Sequence, residues 1–167
     1  MEIITGRVWK YGDNVNTDVI FPGKYTYTIT EPDQMREHAL EDLDPAFRDG
    51  VIPGDVIIAG KNWGCGSSRE QAVTCIKAAG VGAIIAKSFA RIYYRNCLNA
   101  ALPALTCPEL FDQVEHGDEI TIDLYQGQIT FGEDQFSFSP LPETVQALFA
   151  AGGLVPYTRQ RLQEAKD

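Results

Sequence analysis

Gly60-Lys61-Asn62-Trp63-Gly64-Cys65-Gly66-Ser67-Ser68-Arg69-Glu70 stands between an apolar run, Val56 to Ala59, and a segment whose apolar residues Ala72, Val73, Ile76 and Ala79 recur at helical spacing. That order reads as strand, glycine turn and helix. Gly64 and Gly66 admit positive φ and carry no side chain, so the chain can turn sharply and leave the first amides of the following helix open. A helix end of this kind attracts anions. Ser67 and Ser68 stand where those amides begin, and Arg69 adds a planar guanidinium that matches a carboxylate through two parallel hydrogen bonds. The turn is a candidate site for a small acid. The serines also fit a structural role, because Ser67 with Glu70, and Ser68 with Gln71, have capping-box spacing. Arg69 weighs against that alternative, since a cation in a first helical turn opposes the helix dipole.

Three commoner glycine motifs do not fit the stretch. A phosphate-binding loop needs Gly-Lys followed by Ser or Thr, and here Gly66 is followed by Ser67 and Ser68. A dinucleotide fingerprint needs a third glycine where Arg69 stands, and an acid after the next strand where Lys87 stands. A nucleophile elbow needs glycine two residues after its serine, again the place of Arg69.

The chain has 167 residues, 44% of them hydrophobic, which suits one domain spanning 1–167 with a real core. A formal net charge of −9, with lysines and arginines scattered, argues against a nucleic-acid partner. No apolar stretch approaches a membrane span, and the start, Met1-Glu2-Ile3-Ile4-Thr5-Gly6, lacks the features of a signal peptide, so a cytoplasmic location is expected. Cys65, Cys75, Cys97 and Cys107 form no Cys-x-x-Cys pair, so neither zinc nor an iron–sulfur cluster is expected on this chain. Cys65 lies in the turn and could be activated there, with only His38 and His116 available as bases.

Outward from the turn, Ile3 to Tyr11 reads as a first strand broken at Gly12-Asp13-Asn14, and Asn16-Thr17-Asp18 opens a loop in which Asp18 fits an Asx turn or cap. Lys24 to Thr30 alternates tyrosine and threonine, which fits a short edge strand or hairpin arm. Thr30-Glu31-Pro32-Asp33 has capping-box spacing for a helix reaching about Leu40. Asp44 to Arg48 reads as a short helical turn. A helix from Ser68 to Ala79, followed by the strand Ala83-Ile84-Ile85-Ala86, makes a right-handed parallel strand–helix–strand unit. Ser88 is placed to cap a helix from Phe89 to Asn99, whose Arg91 and Arg95 either mark a second anion-binding surface or reach acids elsewhere. Further strands are expected at 103–106, 120–124, 128–131 and 136–138, and helices at 108–114, 142–151 and 158–165, with the last three strands packed around the α/β unit.

The motifs Asn16-Thr17-Asp18, Gly64-Cys65-Gly66-Ser67-Ser68-Arg69-Glu70 and Ser88-Phe89-Ala90-Arg91-Ile92, in this order and in a chain of this length, closely resemble the small subunits of 3-isopropylmalate dehydratases, equivalent to the swivelling domain of aconitase. The resemblance implies an α/β fold, a single swivelling β/β/α domain of the aconitase C-terminal type. It also implies a hydro-lyase of leucine biosynthesis, active only with a large subunit that carries a [4Fe-4S] cluster, acting on a small di- or tricarboxylic hydroxy acid. Carried onto this sequence, Ser67 becomes the base and Asp18 a supporting acid. Ser68, Arg69 and Gly66 become carboxylate binders, and Lys24 to Thr30 becomes the loop over the variable side chain of the substrate. Aconitase and homoaconitase types place an arginine in that loop; this one offers Tyr27, flanked by Thr26 and Thr28, and no arginine. Other readings are a related two-subunit hydro-lyase for dimethylmalate, citraconate or homoaconitate, and a non-catalytic anion-binding module that regulates a partner.

Overall fold

In a computed structural model of the protein, which describes residues 2–166, strand β1 (Ile3–Lys10) runs through a seven-stranded mixed sheet and changes neighbour half-way. Its first half pairs antiparallel with β5, Ile4 opposite Ile122, and its second half pairs parallel with β2, Val8 opposite Val56. The strands β2 (Val56–Ala59), β3 (Ala83–Ala86), β4 (Ala104–Thr106), β5 (Glu119–Asp123), β6 (Gln128–Phe131) and β7 (Asp134–Ser137) stand in the order β4-β3-β2-β1-β5-β6-β7. The first four of this order are parallel and the remainder antiparallel. The later β segments therefore extend the sheet of the α/β unit; the expectation that they pack around it is corrected.

β2 and β3 are buried at every residue, as befits parallel strands covered on both faces. Side-chain alternation sorts them into two cores. Ile57, Ala59, Ile84 and Ala86 face the helices α4 (Gln71–Ala78) and α5 (Arg91–Asn99), through Val73, Ile76 and Cys97 among others. Ile58, Ile85 and Leu105 face the other side, with Ile122, Ile129 and α6 (Pro108–Phe111). The short helices α1 (Thr17–Ile20), α2 (Pro32–Arg36) and α3 (Phe47–Gly50) lie in the long excursion between β1 and β2, and α7 (Glu143–Ala151) and α8 (Leu154–Glu164) end the chain.

Several helix starts differ from the sequence reading. α4 begins at Gln71, not Ser68, and neither serine caps it. α5 begins at Arg91, because the Ser88 hydroxyl is used elsewhere and accepts from the Asn62 amide at 2.8 Å. α2 stops at Arg36, its N-terminus closed by no side chain, and the chain continues in turns to Leu40, which adopts φ +56°. α8 starts four residues earlier than expected, at Leu154.

The lower end of the sheet is tied by one buried carboxylate. Asp55 accepts from the Trp9 indole at 2.9 Å, the Ile52 amide at 3.0 Å and the Arg7 guanidinium at 2.8 Å. Burial pushes its carboxyl up, but the bonds from Arg7, Trp9 and the Ile52 amide outweigh that and hold it below the ordinary carboxylate range.

Candidate active site

The glycine stretch leaves β2 at its C-terminal end, the edge where open α/β sheets place their ligands. Two distant segments lace it down. On one side Asn14 donates to Lys61 O, Gly64 to Val15 O and Thr17 to Cys65 O, each at 2.8 Å. On the other, Trp63 donates to Ser88 O at 3.1 Å and Ala90 to Trp63 O at 2.9 Å. The Asn16-Thr17-Asp18 loop and the Ser88-to-Ile92 segment are thereby brought against the serine turn. Thr17 also donates its hydroxyl to Ser67 O at 2.7 Å, a contact that sequence reasoning missed although it had singled out the surrounding tripeptide.

Ser67 and Ser68 are exposed, and neither hydroxyl bonds to another group among the described residues. The amides of Gly66, Ser67, Ser68 and Arg69 likewise meet no acceptor there. The capping alternative falls, since the helix starts too late for it. What remains is a run of unpaired donors bent around Gly66, which holds φ +93°, the arrangement that binds anions. This run lines a cavity of about 180 Å³, together with Thr17, Arg91, Tyr93 and Asn96. A larger hollow of about 320 Å³ lies beside α7, and its walls mix Leu124, Leu141, Phe149 and Ala150 with Glu2, Tyr125 and Gln146.

Arg69 is held by several groups of its own chain. Its Nη2 donates to Thr17 O at 2.7 Å and Phe21 O at 2.6 Å and lies 3.0 Å from Asp18 Oδ1, while Nη1 donates to Thr26 Oγ1 at 3.0 Å. The guanidinium thus braces the first loop against the serine turn. Asp18 is not the cap of its own loop: Asn16 accepts from the Val19 amide in that role, and the Asp18 carboxylate, 67% exposed, stands on Arg69.

Residues 23–30 form neither strand nor hairpin arm. Gly23–Tyr25 makes a 3-10 turn that runs on into further turns through Thr28. Thr26 faces inward, its carbonyl accepting from Gln71 Nε2 at 2.7 Å in addition to the Arg69 bond, whereas Tyr27 is 95% exposed. Thr28 is exposed beside it. Gln71 carried no sequence signal beyond a capping role it does not play.

The cysteine–histidine alternative gains nothing. His38 stacks on Tyr25 and bonds Glu41 at 2.6 Å, and His116 packs edge-on against Trp9. Burial pushes the Cys75 and Cys97 thiols up, which disfavours the thiolate form that a metal would need. Among the described residues no three His, Cys, Asp or Glu side chains come together to hold a metal ion.

The turn tolerates little substitution at Gly64. It holds φ +81°, and a Cβ there would sit 2.2 Å from the Tyr93 ring, which is itself fixed by donating to Ala72 O at 2.9 Å. Gly64→Ala is expected to cost about 2–4 kcal/mol from backbone strain and overpacking together. A urea-denaturation midpoint close to that of the parent chain would show that the turn can move aside.

Residues 12–110, which include all three laced segments, match the family model of the aconitase C-terminal domain. The chain is 50% identical over 169 residues to the 3-isopropylmalate dehydratase small subunit of Nautilia profundicola, covering 99% of this chain and 100% of that one. It belongs to the 3-isopropylmalate dehydratase small-subunit family. Another family member, from Thermodesulfovibrio yellowstonii, is 49% identical over 162 residues, covering 95% of each chain. The crystal structure of 3-isopropylmalate dehydratase (leuD) from Methanocaldococcus jannaschii has the same fold, with a TM-score of 0.91 at 42% identity over 99% of this chain and 100% of that one. From the same organism, a relative named isopropylmalate/citramalate isomerase small subunit is 44% identical, covering 98% of each chain.

Proposed function

We propose that the chain is the small subunit of a hydro-lyase that interconverts 2- and 3-isopropylmalate by loss and re-addition of water, in an active site shared with an iron–sulfur large subunit. Ser67 takes the proton from the carbon beside a carboxylate as its alkoxide, becoming the neutral hydroxyl, and returns that proton to carbon in the reverse direction. Serine is a poor base in water, and the unpaired amides of Gly66 to Arg69 supply what it lacks, fixed donors that stabilise negative charge developing on oxygen. Ser68, Arg69 and the Gly66 turn hold a substrate carboxylate. Arg69 keeps Asp18, the supporting acid, and the Thr26 segment in place around them. A [4Fe-4S] cluster on the partner would supply Lewis-acid chemistry at the substrate hydroxyl. The roles of this chain are confined to binding, orientation and proton movement.

The observation that carries this reading is the pair of exposed, unbonded serine hydroxyls on a turn of unpaired amides. Its test is reconstitution with a cluster-loaded large subunit, following alkene absorbance on a panel of hydroxy acids. Turnover of isopropylmalate by the mixture, and none by the chain alone, is expected. A non-catalytic binding module would leave the activity of the large subunit without any dependence on Ser67. Citramalate belongs on the panel because a relative's name couples it to isopropylmalate.

Substrate choice is assigned to Tyr27. Its exposed ring can shield an apolar branch at about 25 cal/mol per Å² of buried surface, whereas a distal carboxylate over this loop would be desolvated without a cation. Tyr27→Arg is expected to shift the kcat/KM ratio by roughly tenfold or more toward substrates with an extra carboxylate. An unchanged ratio would remove Tyr27 from the specificity position. The neighbouring candidates differ, since Thr26 is held inward by Arg69 and Gln71 while Thr28 is exposed.

A further inference from the structure

We infer that Gln71 is a positioning residue for substrate choice: its side-chain amide fixes the main chain beside Tyr27 and so decides where that ring stands relative to the serine turn. The inference deepens the proposed function and rests on its assignment of Tyr27 to the specificity position.

The loop is anchored at its ends and nearly free in its middle. Residues 23–30 run from α1 to α2, and both of these helices pack against α4. Phe21 and Met35, on either side of the loop, are buried in the core that faces α4. Tyr25 stacks on His38 with ring centroids 4.0 Å apart. Beyond it Tyr27, Thr28 and Thr30 are exposed, and the amides of Thr28 and Ile29 turn back only to Tyr25 O, at 3.2 and 3.1 Å. Among the described residues, every hydrogen bond that reaches residues 26–30 from outside the loop ends on Thr26. One comes from Arg69 and the other from Gln71.

These two bonds do different things. Arg69 donates to the Thr26 hydroxyl, which can rotate about its own side-chain bond without moving the backbone. The same guanidinium is shared among Thr17 O, Phe21 O and Asp18 Oδ1, and in the proposed reaction it also holds a carboxylate. Gln71 Nε2 donates at 2.7 Å to Thr26 O, the carbonyl of the peptide unit that joins Thr26 to Tyr27. That unit is planar, so holding its oxygen fixes the plane from which the Tyr27 backbone departs. Gln71 is itself well placed to hold it. It is the first residue of α4, half-buried, and the next two residues, Ala72 and Val73, are locked in the core. The helix that follows the serine turn therefore sets the spacing between Ser67 and Tyr27 through one short bond.

The experiment removes that bond and asks whether only the branch of the substrate feels it. Gln71→Met keeps the length of the side chain and loses the donor. In the chain alone, hydrogen exchange of the Thr28 and Ile29 amides is expected to speed up roughly fivefold, the population shift that loss of one hydrogen bond implies. With cluster-loaded large subunit, KM for isopropylmalate is expected to rise at least about fivefold, while the inhibition constant of malate, the same acid without the branch, changes less than about twofold. In a Tyr27→Ala background the same substitution should add nothing further to KM, because Gln71 acts through that ring. Gln71→Asn, one methylene too short for the carbonyl, repeats each measurement should Gln71→Met fold poorly. Unchanged exchange overturns the inference. So does a joint rise of KM and the malate constant, the mark of a general disturbance of the serine turn, and so does additivity with Tyr27→Ala. Tyr27→Ala by itself separates the two possible failures. If it raises KM and Gln71→Met does not, only the assignment of Gln71 fails; if it leaves KM unchanged, the specificity role of Tyr27 falls and takes the inference with it.

Discussion

A Ser67→Ala chain reconstituted with its large subunit is expected to turn over substrate roughly 10²–10⁴-fold more slowly than the parent, the range for loss of a positioned general base. Folding should not explain the loss. The hydroxyl is exposed, caps no helix and bonds to no other described residue, so its removal should change stability by no more than about 0.5 kcal/mol. The contact that fixes the turn, from Thr17 Oγ1, ends on the Ser67 carbonyl and survives the substitution. Equal denaturation midpoints with a collapsed kcat is the predicted pair of results. A variant that retained near-normal turnover would return Ser67 to the status of a loop residue and leave the chain without a base.

Asp55→Ala is expected to cost about 3 kcal/mol of stability, because it leaves the buried Trp9 indole N–H and the part-buried Ile52 amide with no acceptor. Arg7, which is 44% exposed, can turn to water and adds little. The same carboxylate gives the parent chain a pH dependence. Its folded pKa lies below the unfolded one, so the unfolded state binds the proton first on acidification. The contribution is fully present above the ordinary aspartate range near about 4 and is lost as the pH falls through the lower, folded value. Urea midpoints measured from pH 7 downward should therefore fall for the parent in that acidic window and run flatter for Asp55→Ala. Parallel curves would mean that other carboxylates carry the acid sensitivity.

The parts of this molecule that local pattern controls were legible in the sequence. Val56–Ala59 and Ala83–Ala86 are unbroken apolar runs because both faces of the parallel strands are covered, and Gly64 and Gly66 mark the turn between β2 and α4 because only glycine tolerates its backbone. Helix starts were misread wherever a serine offered a cap. Ser67, Ser68 and Ser88 all carry the right chemistry, yet the segments around them are held by bonds to Val15, Thr17 and Asn62, partners far away in the chain. The occupation of Arg69 was hidden for the same reason. Thr17, Phe21 and Thr26 lie more than forty residues before it, and nothing in their own types says that two carbonyls and a hydroxyl will converge on one guanidinium. Arg91 was visible as an oddity, and only the fold shows which cavity it lines.

The change of partner within β1 has a consequence for synthesis. Translation delivers this strand before the others of the sheet, yet the residues opposite its antiparallel half, Glu119 to Asp123, come more than a hundred positions later. At about 5–20 residues per second that half waits roughly 6–24 s for its neighbour, an unpaired edge on a nascent chain. Contacts this distant in sequence also slow folding once the chain is complete. Arg7 places a charge within the waiting half, the kind of residue that discourages edge-to-edge pairing with other chains. The segment on which both halves of the sheet depend is thus the one most in need of protection before the fold exists.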